Sequence, residues 1–145
     1  MKKGFTLLEL IVVIIIVGVL ATLGITQYGS MVEKARTAEA RTVLGDIRNL
    51  VIAYWLANGT LTGMTNADAN IGTGADQVPI SCRPSHYFYY WLGSTQGTVI
   101  DLYARRCQAG GRSPQGNQAY AWYVMMRLDL VAGTVEWLEF PYPTP

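Results

Sequence analysis

The chain of 145 residues has few of the side chains from which catalytic and metal sites are built. It contains one histidine, His86, and two cysteines, Cys82 and Cys107, and these cannot supply a zinc ligand set. No nucleophile is arranged with His86, and the chain has no C-x-x-C redox motif. Asp101 and Asp129 are too few for calcium, which takes about six to eight oxygen ligands. We therefore expect no catalytic residue, no cofactor and no metal.

Charged residues are also scarce. Asp, Glu, Lys and Arg make up 14% of the chain, and the net charge is only +1. The basic residues are spread along the chain, whereas a nucleic-acid interface needs them clustered on one face. The sequence therefore gives no indication of a specific nucleic-acid partner.

Apolar residues, in contrast, dominate the start of the chain. The run from Phe5 to Ile25 is roughly 30 Å long as a helix, about the thickness of a bilayer's hydrocarbon core. Lys2 and Lys3 precede it, and the positive-inside rule places them in the cytoplasm. The pattern predicts a single pass through the inner membrane, with the rest of the chain on the outer side.

Glu9 is the one charged residue within this run. A secretory signal peptide ending at Ala21 is one interpretation, and a plain membrane anchor is another. Neither explains Glu9, because a carboxylate inside a bilayer costs about 2.5–3.5 kcal/mol on insertion scales. The third interpretation, which we prefer, is that Glu9 has a partner.

The residues around Glu9 also form a specific motif. A basic leader, Gly4, Phe5 and then Glu9 four positions later, all opening an apolar run, resemble the start of type IV pilins and type II secretion pseudopilins. In that family a membrane peptidase cuts after the glycine and methylates the new N-terminus. The resemblance implies a leader of residues 1–4, a cut between Gly4 and Phe5, and N-methylation of Phe5. It also implies that the freed amine of one subunit's Phe5 neutralises Glu9 of its neighbour during assembly, as a buried charge requires.

The helix continues beyond the membrane segment. Apolar residues recur at spacings of three and four between Val43 and Tyr54, no proline occurs before Pro79, and Asn58-Gly59 is a helix stop. We predict one helix from Phe5 to Ala57. Its first half (residues 5–28) is the membrane or filament-core segment. Its second half belongs to a globular head (residues 29–145). Many pilins have a proline where this chain has Thr26. We expect any unwinding in a fibre to centre instead on Gly18 to Gly24, because glycine costs up to about 1 kcal/mol in a helix.

The rest of the head predicts an antiparallel sheet. Residues 58–84 are rich in Gly, Thr, Asn and Asp without periodicity, which indicates a surface loop. Strand-like runs follow at residues 86–92, 119–128 and 134–140, the last two as a hairpin across residues 129–133, while residues 98–104 also suit a helical turn. The fold class is α+β, with three or four strands packed on the long helix, which is also the architecture of the pilin family.

Two further features concern the surface of this sheet. Tyr87 to Trp91 are five consecutive aromatic residues, and strand alternation sends some inward and some outward. Cys82 and Cys107 are expected to form a disulfide, since the head lies outside the cytoplasm and many pilins contain one. In those pilins the bridge is closer to the C-terminus than it is here.

The resemblance implies the function. The chain is expected to be a structural subunit of a helical homopolymer, working with prepilin peptidase and an inner-membrane assembly platform. Such pili serve adhesion, motility or DNA uptake. One alternative is a type II secretion pseudopilin, and another is a membrane-tethered binding module that does not polymerise.

Overall fold

The computed structural model describes residues 6–113 and 123–140, apart from the side chains at positions 26, 27, 29, 30 and 96. Contacts within the chain divide it into two units, Met1–Arg36 and Thr37–Pro145. One helix, α1 (Leu7–Asn58), contributes residues to both. The predicted helix of residues 5–57 is therefore confirmed to within one or two residues at the described ends.

The end of α1 lies at the predicted stop. Gly59 has a φ of +70°, and its N–H donates to the carbonyl oxygen of Trp55 at 2.8 Å. The side-chain amide of Asn58 donates to the carbonyl oxygen of Tyr54, also at 2.8 Å. Glycine adopts this left-handed conformation without a steric cost, so the Asn-Gly pair ends the helix while satisfying its last carbonyls.

The connection after α1 has more structure than its sequence indicates. It contains a 3-10 helix, Asn66–Ala69, and two short strands, β1 (Ile71–Gly72) and β2 (Val78–Pro79), which pair in parallel. Four of its apolar side chains lie in the hydrophobic core, namely Leu61, Met64, Ala69 and Ile71. The expectation of a surface loop is therefore wrong for residues 61–71 of this segment. Packing of these side chains on the core, rather than a local sequence periodicity, determines the path of the backbone there.

Among the described residues, the main sheet has four antiparallel strands in sequence order. They are β3 (Phe88–Gln96), β4 (Val99–Arg106), β5 (Tyr123–Asp129) and β6 (Thr134–Glu139). The ambiguous run at residues 98–104 is thus largely strand, and the hairpin across residues 129–133 is confirmed by the pairing of β5 with β6. Residues 119–122, predicted as strand, lie outside the described residues.

The core of the second unit lies between α1 and one face of this sheet. Burial in β4 alternates strictly, as expected for a strand with one face covered. Large side chains that become fully buried each contribute about 1.5–3 kcal/mol relative to exposure. The residues that α1 and the sheet contribute to the hydrophobic core cluster are Ala40, Leu44, Ile47, Val51, Phe88, Tyr90, Ile100, Leu102, Ala104, Val124, Met126 and Leu128. The predicted α+β fold, a long helix on an antiparallel sheet, is confirmed.

Candidate functional site at the N-terminal helix

The first turns of α1 expose apolar side chains in every direction. The stretch Leu7–Ile25 is long and apolar enough to cross a membrane, and none of it is buried within the chain. Leu7 is 77% exposed, and Ile16 is 53% exposed. Monomeric soluble proteins rarely show so large a continuous apolar surface, which marks a site of contact with lipid or with other proteins.

Glu9 lies in the first turn of this stretch, and Thr6 caps the helix there. The Thr6 N–H and the Thr6 hydroxyl both donate to Oε2 of Glu9, at 2.9 Å and 2.8 Å. In return, Oγ1 of Thr6 accepts the N–H of Glu9 at 3.3 Å. This is a capping box, in which a threonine and a glutamate three residues later satisfy each other's backbone donors.

The capping box shows a role for Thr6 that the sequence analysis missed. Its signal was present, because Thr-Leu-Leu-Glu at residues 6–9 has the required T-x-x-E spacing. The partner of Glu9 within the chain is thus an uncharged group, the chain's own threonine. These bonds satisfy part of the carboxylate, but no cation among residues 6–113 and 123–140 forms an ion pair with it.

The two processing residues, Gly4 and Phe5, lie outside the described residues. The structure describes the chain from Thr6, which directly follows Phe5 in the sequence. The cut between Gly4 and Phe5, the methylation of Phe5 and the pairing of its amine with Glu9 therefore stay predictions.

Gly18 and Gly24 both lie within the described helix. A Cβ built on either glycine would meet no atom within 4 Å. Between them, the Thr22 hydroxyl donates to the carbonyl oxygen of Val19 at 2.7 Å. No close contact within the chain therefore requires glycine at either position. The unwinding at Gly18 to Gly24 in a fibre stays a prediction.

The predicted disulfide between Cys82 and Cys107 is present, with the two Cα atoms 5.6 Å apart. Cys107 is fully buried, and its N–H donates to the carbonyl oxygen of Tyr87 at 2.8 Å. A Cβ at Gly111 would lie 2.3 Å from the Cβ of Cys107, so only glycine fits beside the bridge. The disulfide therefore ties the end of β4 to the segment that leads into β3.

The predicted alternation of the five aromatic residues is also confirmed. Phe88 and Tyr90 are fully buried against α1. The outer face of the sheet instead carries stacked rings, whose centroids are 5.5 Å apart for Tyr89 and Trp91 and 4.9 Å apart for Trp91 and Tyr103. Packing within the sheet thus accounts for the aromatic run.

Burial also affects the chemistry of Tyr90. It raises the pKa of this phenol well above its usual value, and the negative charge of Glu39 acts in the same direction. Glu39 accepts the N–H of Tyr87 at 3.2 Å, so its carboxylate lies at the junction of α1 with the start of β3. The tyrosine therefore stays neutral and serves as a core residue.

The two aspartates considered for calcium have other partners. Asp101 accepts two hydrogen bonds from Arg127, at 2.8 Å and 3.0 Å, and this pairing raises the pKa of the arginine. Asp129 accepts the N–H groups of Val131 and Ala132 in the turn between β5 and β6. Within residues 6–113 and 123–140, no group of three or more His, Cys, Asp or Glu side chains is placed to hold a metal ion.

Comparisons with known proteins point to the same part of the chain as the geometry does. Residues 1–25 match the family model of the prokaryotic N-terminal methylation motif. No solved structure matches the chain.

Several fimbrial proteins are similar to the chain over a longer range. A fimbrial protein of Neisseria meningitidis serogroup B is 34% identical over 76 residues, which are 52% of this chain and 44% of the relative. A probable minor fimbrial protein of Dichelobacter nodosus is 37% identical over 89 residues, covering 54% of this chain and 55% of the relative. A type IV major pilin of Neisseria gonorrhoeae is 37% identical over 59 residues, or 41% of this chain and 36% of the relative. The chain thus spans about half the length of the relatives it matches, or less.

Proposed function

We propose that this chain is a member of the type IV pilin family and a structural subunit of a type IV pilus filament. Members of this family are structural proteins rather than enzymes. The observation that carries the proposal is the methylation motif over residues 1–25, which coincides with the exposed apolar start of α1. The names of the relatives, fimbrial protein and type IV major pilin, support the same assignment.

The first step in this function is processing of the precursor. Prepilin peptidase removes residues 1–4 by cutting between Gly4 and Phe5, and the new amine of Phe5 is methylated. Lys2 and Lys3 hold the leader on the cytoplasmic side of the inner membrane. The match to the methylation motif includes both sides of this cut and supports the assignment.

The exposed apolar helix supports the second step, the transfer from membrane to filament. In the inner membrane lipid covers the stretch Leu7–Ile25, and in the filament the same side chains pack against copies of themselves. An inner-membrane assembly platform adds subunits at the base, and repeated head-to-tail contacts produce an open helical filament outside the cell. The family's uses of such filaments are adhesion, motility and DNA uptake.

Glu9 sets the register of each added subunit. The Thr6 hydrogen bonds leave its charge uncompensated by any cation among the described residues. Uncompensated charge is costly in an apolar core, and an oppositely charged partner offsets much of that cost when the geometry is good. The freed amine of a neighbour's Phe5 is such a partner.

Processing and assembly are tested together by expressing the full chain with a prepilin peptidase and a pilus assembly machinery. We expect sheared surface filaments that contain this chain, and mass spectrometry should find it beginning at Phe5 with one added methyl group. Gly4→Val should block the cut and leave the precursor in the membrane. Gly18→Val is the matched control for cleavage, because a Cβ there meets no atom within 4 Å.

The outcomes distinguish the proposal from its alternatives. A mature N-terminus other than Phe5 would contradict the processing step. Surface filaments obtained only with a secretion machinery would indicate a pseudopilin instead. A Glu9→Ala chain that keeps full function without any filament would indicate a tethered binding module.

A further inference from the structure

The face of the main sheet that points away from α1 has a depression beside an irregularity in β3. The pairing register of β3 with β4 shifts between Leu92 and Thr95. Gly93 and Ser94 therefore lie opposite the single residue Asp101, which is a β-bulge. The depression has a volume of about 310 Å³, and the residues that line it are Ser94, Val99, Asp101 and Arg127. This volume is near the lower end of the range for small-molecule sites, about 300–1,000 Å³, so the depression can hold one small ring.

An ion pair forms the polar wall of this depression. Nε and Nη2 of Arg127 donate to Oδ1 and Oδ2 of Asp101, at 2.8 Å and 3.0 Å. Nη1 of Arg127 has no hydrogen-bond partner within the described part of the chain. A carboxylate has about four acceptor positions, and these bonds use one on each oxygen. The pair therefore presents further donors next to further acceptors.

The neutrality of this ion pair selects the class of ligand. An anion would have to compete with Asp101 for the guanidinium, and a cation would have to compete with Arg127 for the carboxylate. An uncharged group with adjacent hydroxyls meets neither obstacle, because one hydroxyl donates to the carboxylate while the next accepts from the guanidinium. Hydrogen bonds of this kind, with one charged partner, are stronger than those between neutral groups.

The aromatic ring of Tyr103 lies directly beside the depression. A Cβ at Gly93 would lie 2.5 Å from an atom of this ring and 3.0 Å from the carbonyl oxygen of Asp101, so the ring packs over the glycine. Burial raises the pKa of Tyr103, and the negative charge of Asp101 acts in the same direction, as expected for a phenol close to a carboxylate. Apolar ring surface next to a few placed polar groups is typical of small-molecule sites.

We propose that this depression is a binding site for a neutral sugar, namely one hexopyranose ring, free or as part of a glycan. Adjacent hydroxyls of the sugar bond to Asp101 and Arg127, and the Ser94 hydroxyl offers a third polar contact. The C–H groups of the ring pack on Val99 and on the edge of Tyr103. A cyclic sugar binds better than an open-chain polyol, because its hydroxyls are already fixed relative to one another and less entropy is lost on binding. The inference goes beyond the proposed function and does not depend on assembly.

Binding is measured by NMR titration of the full chain in dodecylphosphocholine micelles, whose headgroup contains no sugar. The probes are the methyl glycosides of glucose, galactose and mannose, with sorbitol as the open-chain control. We expect at least one glycoside to shift the signals of the Arg127 Nε–H and the Ser94 N–H saturably, with a dissociation constant of about 1–10 mM, as a few hydrogen bonds allow. Sorbitol should cause no saturable shift. A tenfold rise in NaCl concentration should leave the dissociation constant unchanged, because a neutral ligand is not screened.

Two arginines on the outer face of the sheet supply a matched pair of variants. Arg127→Lys keeps the positive charge but loses the planar fork that pairs with Asp101, so the dissociation constant should rise at least about tenfold. Arg105 lies on the same face of β4 as Asp101 but does not line the depression, so Arg105→Lys should change the constant by less than about twofold. Ser94→Leu, at an exposed residue, fills the depression while leaving the ion pair in place and should abolish binding. The amide spectrum shows whether each variant is folded.

The outcomes separate a sugar site from an ordinary surface ion pair. The proposal is overturned if none of the three glycosides shifts these signals, if sorbitol binds as tightly as they do, or if binding weakens strongly with salt. It is also overturned if Arg127→Lys weakens binding no more than Arg105→Lys does, or if Ser94→Leu binds as the parent chain does. The test needs no filament, so its failure leaves the proposed function unaffected, and a failure to form filaments leaves this inference unaffected.

Discussion

The disulfide gives the prediction with the best-defined magnitude. Cys82 and Cys107 are 25 positions apart, and the bridge closes the loop between them. Replacing both by alanine should lower the free energy of unfolding of the head by about 3.5 kcal/mol, according to the chain-entropy relation for a loop of this length. The physical reason is that the cross-link restricts the unfolded chain and so reduces the entropy gained on unfolding.

The assay is denaturant unfolding of the full chain in detergent micelles, followed by tryptophan fluorescence. Trp55, Trp91 and Trp137 all belong to the unit Thr37–Pro145, so the signal includes the head. A reductant should destabilise the parent chain by a similar amount and leave the alanine variant unchanged. Ser81→Ala, at an exposed residue beside the bridge, should change stability by less than about 0.5 kcal/mol. A loss below about 1 kcal/mol on removal of the bridge would refute the reasoning.

Three further predictions concern the head. Leu44→Ala should lower the free energy of unfolding by about 2–5 kcal/mol in the same denaturation assay, because Leu44 is fully buried beneath the sheet. Gly93→Ala should lower the free energy of unfolding by about 1–3 kcal/mol, because the added Cβ would lie 2.5 Å from an aromatic ring of β4. Gly45→Ala should instead stabilise the helix, because a Cβ there meets no atom within 4 Å. The hydroxyl and N–H of Thr65 hold the pKa of Asp68 below its usual value, so its stabilising contribution is present at neutral pH and is lost as the pH falls through that lowered pKa. An NMR titration should show the Asp68 midpoint rising in Thr65→Val.

Much of the fold could be predicted because its signals are local. The long helix follows from an apolar run that continues as an amphipathic stripe, with no proline before Pro79 and a stop at Asn58-Gly59. The alternation around Phe88 and Tyr90 follows from strand geometry alone. Leu50 is an exception. It fits the spacing of the apolar stripe, but it lies at the edge of the stripe and is 40% exposed.

Other features depend on contacts that are distant in the sequence. Leu61 and Ile71 lie in a segment without periodicity, and they are buried only because that segment packs on the core. Arg106 is 1% exposed, with its guanidinium donating to the carbonyl oxygen of Tyr87 and its Cζ 4.9 Å from the centre of the Tyr87 ring. Its position on a strand gave no reason to expect burial, because arginine usually keeps its charge in water.

The candidate site could be predicted in part. The motif that ends at Glu9 indicated the residue and the need for a partner. The T-x-x-E spacing also predicts the Thr6 hydrogen bonds. It does not predict that both are accepted by the same carboxylate oxygen. The intermolecular partner depends on a second copy of the chain, so it stays a proposal.

The most direct test of the central claim is a distance measurement in assembled filaments. Filaments are grown from an equal mixture of two chains, one with ¹⁵N in the amine of Phe5 and the other with ¹³C in the carboxylate of Glu9. Solid-state NMR should detect a dipolar contact between these two atoms, because the account places the amine of one subunit against the carboxylate of the next. Well-formed filaments with no such contact between the two chains would contradict it.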